Sequence, residues 1–277
     1  MKGIAHVAST VTAGPCYRGD VSVSEKVVHE ADSPFGPVYV VDVGDQRTLR
    51  FDSPEGTLQS AILKSDPTAV PTSYVRVATA GLALTEGRAR ILVVGLGGGA
   101  FPMLMHRLLP RRSQVDVVEI NPVVVDVARR FFNVREDARL HISVEDGADF
   151  MARQGPRYDL IFLDAFWDYG TPDHLKESLF FENVRRRLEP GGVAVLNIAL
   201  EEQWSVASRI ETFARAFEDC AMLRGASRYS NLILVGTQTP LPSESLFRQQ
   251  LWRLARELDF SVLMESVMTF EQVKVSS

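Results

Sequence analysis

A glycine-dense segment, Gly95-Leu96-Gly97-Gly98-Gly99, follows the apolar run Ile91-Leu92-Val93-Val94 and precedes a helix-forming stretch from Phe101. Glycines between a strand and a helix permit positive φ and let a ligand approach the backbone closely. Alone, the pattern fits a tight strand–helix turn equally well. Glu119 stands 20 residues beyond Gly99 (119 − 99), at the end of the next β-prone run, Val115–Ile120. A carboxylate there can accept both hydroxyls of a ribose, and the combination suits a nucleoside or a dinucleotide. A third run ends in Val144-Glu145-Asp146-Gly147. Asp146 can accept from an adenine amino group lying across the strand ends, or it can cap a helix. A fourth run ends in Leu163-Asp164-Ala165-Phe166-Trp167-Asp168. Asp164 at that edge can orient or deprotonate an attacking amine, or cap the next turn. Phe166 and Trp167 are read evenly as adenine cover or as core.

These residues need a scaffold that presents several strand ends side by side. From about residue 90 the sequence alternates strand and helix. The strands are 91–94, 115–120, 140–144, 158–163, 193–199 and 231–236. The helices are 101–109, 123–132 (opened by Pro122), 174–188, 203–217 and 243–257, the 174–188 helix closed by Pro190-Gly191-Gly192. Such alternation predicts a mostly parallel sheet with both faces covered, with ligands at the carboxyl ends of its strands. Before it, three short strands at about 21–30, 37–42 and 47–52 predict a small β-domain, and 74–84 a joining helix. The expected division is 1–66 for the N-terminal tail and β-domain, and 67–277 for a Rossmann-like nucleoside-binding domain.

The 277 residues are 45% hydrophobic and 23% charged with net charge −5, which argues against disorder and against a basic nucleic-acid binder. No stretch approaches ~18 uninterrupted apolar residues, so no membrane span is expected. Two cysteines, Cys16 and Cys220, make neither a disulfide framework nor a four-ligand zinc site, and they suit a reducing cytoplasm. Met1–Pro15 reads as a loose tail rather than a secretion signal. The five histidines (His6, His29, His106, His141, His174) show no metal-ligand spacing.

In order and spacing these motifs, with Val117–Pro122, Tyr158–Phe166 and Leu188–Gly192, resemble the spermidine synthase family of polyamine aminopropyltransferases and its methyltransferase-like relatives. The resemblance covers about residues 30–240, including Ser33-Pro34-Phe35-Gly36 and Asp42-Val43-Gly44 of the β-rich start. It implies a small β-domain followed by a Rossmann-like AdoMet-transferase fold. It implies Glu119 on the ribose, Asp146 and Gly147 on the adenine, Gly95, Gly97, Gly98 and Gly99 in the nucleoside loop, and Gln59 near the nucleoside tail. Asp164 with Ala165 would form the catalytic loop, with Asp168 or Tyr74 as helpers. The co-substrate would be decarboxylated AdoMet or AdoMet, with no metal, an amine as acceptor, and a homo-oligomer as the assembly.

The sequence also departs from the family. The family's glycine loop carries an acid where Gly98 stands, its Asp-Ser-Ser-Asp-Pro stretch is here Asp164–Asp168, and its Tyr-His-Glu is here Tyr74-Val75-Arg76. Burying ammonium groups without carboxylate partners costs several kcal/mol per ion, roughly. Arg76 or a glycine-loop N–H could instead accept the carboxylate of intact AdoMet. Aminopropyl transfer ranks first, with AdoMet-dependent methyl transfer and a catalytically silent nucleoside-binding protein as alternatives. A nicotinamide-dependent oxidoreductase is the reading from another class, opposed by Asp146 and by the lack of a hydride-site His or Tyr pattern.

Overall fold

Two sheets organise the chain in the computed structural model, which describes residues 25–165, 173–199, 206–226 and 231–274. Asp168, Phe166, Trp167, Cys16, His6 and the Met1–Pro15 tail therefore lie outside the described residues.

The first sheet is antiparallel in the order β1-β2-β3-β4, from β1 (Glu25–Ala31), β2 (Val38–Val43), β3 (Gln46–Phe51) and β4 (Leu58–Leu63). β1 stays exposed or half-buried, while β2, β3 and β4 bury consecutive residues at Val40-Val41, Thr48-Leu49 and Ser60-Ala61-Ile62. Val38, Val40, Leu49 and Ile62 close on Val124, Val127 and Phe132 at α3 (Pro122–Phe131). That cluster seats the small sheet against the helix that follows Glu119. The strand β4 was not anticipated, because Leu58-Gln59-Ser60-Ala61-Ile62-Leu63 lies between two turn-rich segments and carries only three apolar residues in sequence at its end.

The second sheet has the order β12-β10-β11-β9-β8-β5-β6-β7. Its parallel part comprises β5 (Arg90–Val94), β6 (Gln114–Glu119), β7 (Leu140–Val144), β8 (Tyr158–Leu163) and β9 (Leu188–Ile198). The runs Ile91–Val94 and Leu160–Leu163 are buried throughout, as strands covered on both faces must be. The helices α2 (Ala100–Leu108), α3, α4 (Gly147–Ala152), α5 (Ser178–Arg186) and α6 (Val206–Arg215) connect strands. β11 (Leu232–Thr237) pairs antiparallel to β9, β10 (Asp219–Arg224) to β11, and β12 (Thr269–Gln272) to β10. The chain runs β5 to β6 to β7 in one direction, then returns to place β8 on the other side of β5. The order reverses between β5 and β8, where ligands bind in such sheets.

The expected helix over 174–188 is divided. Asp173–Leu175 is one 3₁₀ turn and α5 begins only at Ser178. Pro190-Gly191-Gly192 does not simply stop a helix either. It lies inside β9, where the pairing register with β8 shifts and Gly191 takes φ 72°. The joining helix is α1 (Ser73–Thr79), continued by a 3₁₀ turn over Ala80–Ala83. The end of the chain packs inward: Leu263 and Val267, at α8 (Val262–Ser266), and Phe270 on β12 join the main core beside α7 (Glu244–Glu257). Among the described residues no helix is long and apolar enough to cross a membrane.

Candidate active site

One cavity opens at the order reversal and is lined from both sheets. Gln59 of β4, Tyr74 of α1, Gly95 and Gly97 of the glycine loop, Glu119, Asp146, Gly147, Asp164 and Ala165 all line it. Gly98 and Gly99 belong to the same loop but are not among the lining residues. Parallel pairing explains the convergence. Val94 is level with Val118 and Leu163, and Glu119 with Val144, so consecutive strand ends deliver their following residues to one rim.

The glycine loop is shaped by contacts that leave no room for side chains. Gly95 takes φ 98°, its N–H donates to Val118 O at 2.8 Å, and an added Cβ would strike the Asp164 carbonyl. At Gly98 an added Cβ would lie 2.6 Å from Ser60 Oγ and 2.9 Å from Phe132 Cδ1. The place of the family's glycine-loop acid is thus filled by a hydroxyl from β4 and a phenyl ring from the end of α3. Gly98→Asp is expected to cost about 1–3 kcal/mol through overpacking and to lower Tm by several degrees in a thermal melt. Adding Ser60→Gly should recover part of that loss.

Glu119 is 9% exposed and is held from two sides. Oε2 accepts the Leu96 N–H at 2.8 Å, and Oε1 accepts the Asn121 N–H at 2.9 Å. Burial raises its pKa above the ordinary carboxylate value, against the lowering effect of those backbone donors. Each oxygen keeps lone-pair capacity for a further donor such as a ribose hydroxyl. Asn121 caps α3, its Oδ1 accepting the Val123 N–H at 3.0 Å. Its Nδ2 donates to Ser33 Oγ at 2.9 Å, tying the β1–β2 turn to this rim and bringing Phe35 to the cavity.

Asp146 lines the cavity and takes one of its two expected roles, that of a helix cap. Oδ1 caps α4 by accepting the Ala148 and Asp149 N–H groups at 2.7 and 3.3 Å. Oδ2 meets His174 Nε2 at 3.0 Å. His174 itself lines the cavity from the 3₁₀ turn rather than opening a helix. An adenine amino group approaching Asp146 would share that oxygen with the imidazole.

Asp164 is the most perturbed acid of the site. Its Oδ2 accepts the Tyr74 hydroxyl at 3.2 Å and its Oδ1 accepts Asn197 Nδ2 at 2.6 Å. Burial pushes its pKa from 3.8 up to about 7, while the Asn197 and Tyr74 donors pull in the other direction. Burial also raises the Tyr74 phenol well above its usual value, with the Asp164 charge adding to the effect. An acid of that strength is matched to proton exchange near neutral pH.

Arg76 does not serve as expected. Its guanidinium donates to the Val70 carbonyl, and the residue is absent from the cavity lining. The reason is helical geometry: two positions after Tyr74, its side chain leaves α1 on another face. Sequence reasoning also missed Asn197, Ser60, Ser33 and Asn121. A lone asparagine ending the run Val193-Ala194-Val195-Leu196 was the one available signal for the first. Among the described residues no group of three or more His, Cys, Asp or Glu side chains gathers as a metal site would.

Comparison with known proteins adds to this geometry. Residues 76–224 match the spermine/spermidine synthase domain. A polyamine aminopropyltransferase from Vibrio vulnificus is 30% identical over 255 residues, covering 88% of this chain and 84% of the relative. The crystal structure of a probable spermidine synthase from Corynebacterium glutamicum superposes with TM-score 0.68 at 22% identity, over 84% of this chain and 87% of the other. Human methyltransferase-like protein 13, solved in complex with SAH, superposes with TM-score 0.61 at 27% identity, over 68% of this chain and 92% of the other.

Proposed function

The chain belongs to the spermine/spermidine synthase family, and from that premise we propose that it transfers an aminopropyl group from decarboxylated AdoMet to an amine acceptor. The observation that carries this reading is the sign of the cavity. Its charged lining among the described residues is Asp52, Glu119, Asp146 and Asp164, with no Lys or Arg. Both substrates of aminopropyl transfer are cations, and an acidic cavity raises their local concentration. The carboxylate of intact AdoMet would find no Lys or Arg among the described lining residues to pair with.

The chemistry needs little covalent help from the protein. The amine lone pair attacks the propyl carbon bonded to the sulfonium. The carbon–sulfur bond breaks, its electron pair returns to sulfur, and methylthioadenosine leaves. Glu119 is assigned to the ribose, Asp146 and Gly147 to the adenine, and Gln59 to the nucleoside tail. Asp164 takes the proton that the acceptor ammonium must lose, and Tyr74 holds that carboxyl in place. Burial helps here, since a carboxyl near pH 7 lies closer to an amine's pKa than an ordinary one does. Positioning the nitrogen in line supplies most of the rest. Asp168 is the proposed second acid of the loop.

We also propose the division into 1–66 and 67–277, a cytoplasmic setting supported by the low cysteine count, and a homo-oligomeric assembly supported by the family likeness. A second reading, methyl transfer from AdoMet, is favoured by the Gly98 position, where no acid waits for the aminopropyl ammonium.

Mass spectrometry after incubation with decarboxylated AdoMet and putrescine tests the proposal. The expected result is an amine heavier by one aminopropyl group, with equimolar methylthioadenosine. Calorimetry should show tighter binding of decarboxylated AdoMet than of AdoMet. Preference for AdoMet, with S-adenosylhomocysteine as the product in the presence of a methyl acceptor, would replace aminopropyl transfer with the second reading.

A further inference from the structure

Asn197 is 1% exposed and stands second from the end of β9, between the buried, apolar Val193 to Leu196 and the buried Ile198. A leucine would suit that place by packing alone. The amide instead donates Nδ2–H to Asp164 Oδ1 at 2.6 Å, and its own Oδ1 is buried with no hydrogen-bond partner among the described residues. A buried, unpaired acceptor is unfavourable and calls for a compensating interaction. The compensation is a short, charge-assisted hydrogen bond to a carboxylate. The amide orientation follows from the same pair. Turned over, Oδ1 would face a carboxylate oxygen at that distance, acceptor against acceptor, which only a protonated Asp164 could satisfy.

We infer that Asn197 is a positioning residue that favours the ionised form of Asp164 and so sets the pH at which the acceptor amine loses its proton. The proton-transfer half of this inference rests on the aminopropyl-transfer reading above; the ionisation half does not. The titratable groups sharing the cavity are Tyr74 on α1, Asp52 after β3, Glu119 on β6, Asp146 at the cap of α4 and His174 in the 3₁₀ turn. Of the described residues, Asn197 and Tyr74 are the two whose side chains bond the Asp164 carboxyl. Both donors are neutral. Tyr74 bonds the other oxygen at a longer 3.2 Å, so removal of the amide should have the larger effect.

The test is a carbon-13 carboxyl NMR titration of the substrate-free protein, with the Asp164 signal assigned by its loss in Asp164→Asn. Asn197→Leu is expected to raise the Asp164 midpoint by about one pH unit or more. The acid limb of the kcat profile should move by the same amount. For a one-unit rise, turnover at neutral pH would then fall about fivefold, approach a roughly tenfold loss on the acid side and recover on the alkaline side. Asn197→Asp provides a near-isosteric second variant. Two carboxyls that close cannot both ionise readily, so one of the pair should titrate well above the wild-type midpoint. Asn197→Gln, which keeps an amide, should lie nearer wild type than either. A midpoint unmoved in Asn197→Leu or Asn197→Asp overturns the inference, as does a turnover loss equal at every pH. A midpoint that moves in a protein with no aminopropyl transfer would support the ionisation role while removing the proposed reaction.

Discussion

Asp164→Asn is expected to lower turnover by about 10²–10⁴-fold while making the folded protein more stable at neutral pH. The two effects have one cause. The carboxyl is buried between Tyr74 and Asn197, and desolvation holds its pKa at about 7 against an ordinary 3.8. Below about pH 4 the group is protonated in both folded and unfolded chains, and it costs nothing. As pH rises from there towards 7, the unfolded chain ionises freely while the folded one resists. A folded pKa above the unfolded one thus gives stability that is present at low pH and lost through that window. The gap between about 7 and 3.8 corresponds to as much as roughly 4 kcal/mol at pH 8. Asparagine keeps the shape and cannot titrate, so it escapes the loss. Urea melts at pH 4 and pH 8 check this: the variant should match wild type at the first and exceed it at the second. Equal stability at pH 8 would show that the carboxyl is not desolvated, and its role as base would lose its physical basis.

The parts of the fold that sequence disclosed are those with strong periodicity and punctuation. The apolar runs of β5, β6 and β8, each followed by glycine or acid, identified the strand ends that form the rim. Pro122 marked the start of α3 because its missing N–H is tolerated there. The short strands β10 and β12 did not announce themselves. Asp219–Arg224 has one polar residue at each end and four apolar-leaning residues between, a pattern too brief to separate from a loop. Its strand character comes from pairing with β11 and β12, which no local signal contains. The site divided in the same way. Glu119, Asp146 and Asp164 were legible because acids at strand ends do recognisable chemistry. Asn197 was not, because its importance lies in a partner 33 positions away in sequence. Ser60 and Phe132 were equally hidden: they occupy the Gly98 position only because the small sheet packs on α3. Arg76 misled for the converse reason, since a charge in the right motif can leave its helix on the wrong face.

Glu119→Ala should weaken methylthioadenosine binding by about 100-fold or more, since hydrogen bonds to a charged group contribute roughly 1.5–3 kcal/mol each and a ribose offers two. The substitution also strips the partners from the Leu96 and Asn121 N–H groups, so the glycine loop loses its anchor together with the ligand. Glu119→Gln removes the charge while keeping the size of the side chain and one of its two backbone anchors. Its amide has one oxygen to accept with, so one of the two backbone N–H groups must face an NH₂ group. Near-isosteric though it is, it should bind the nucleoside far less well than wild type. Asp146→Ala should weaken binding less, because one Asp146 oxygen is committed to capping α4 and the other already meets His174. That variant should instead show the loss of a helix cap, about 1 kcal/mol in a denaturant melt. The pH dependence follows from burial. With its pKa raised, Glu119 takes up a proton at a higher pH than an ordinary glutamate would, and nucleoside affinity should fall as it does. Calorimetric titration of the three variants and wild type across pH 5 to 8 checks the order. If Asp146→Ala costs more affinity than Glu119→Ala, the purine end dominates and the ribose assignment of Glu119 fails, since only a carboxylate gripping two hydroxyls gives the order expected here.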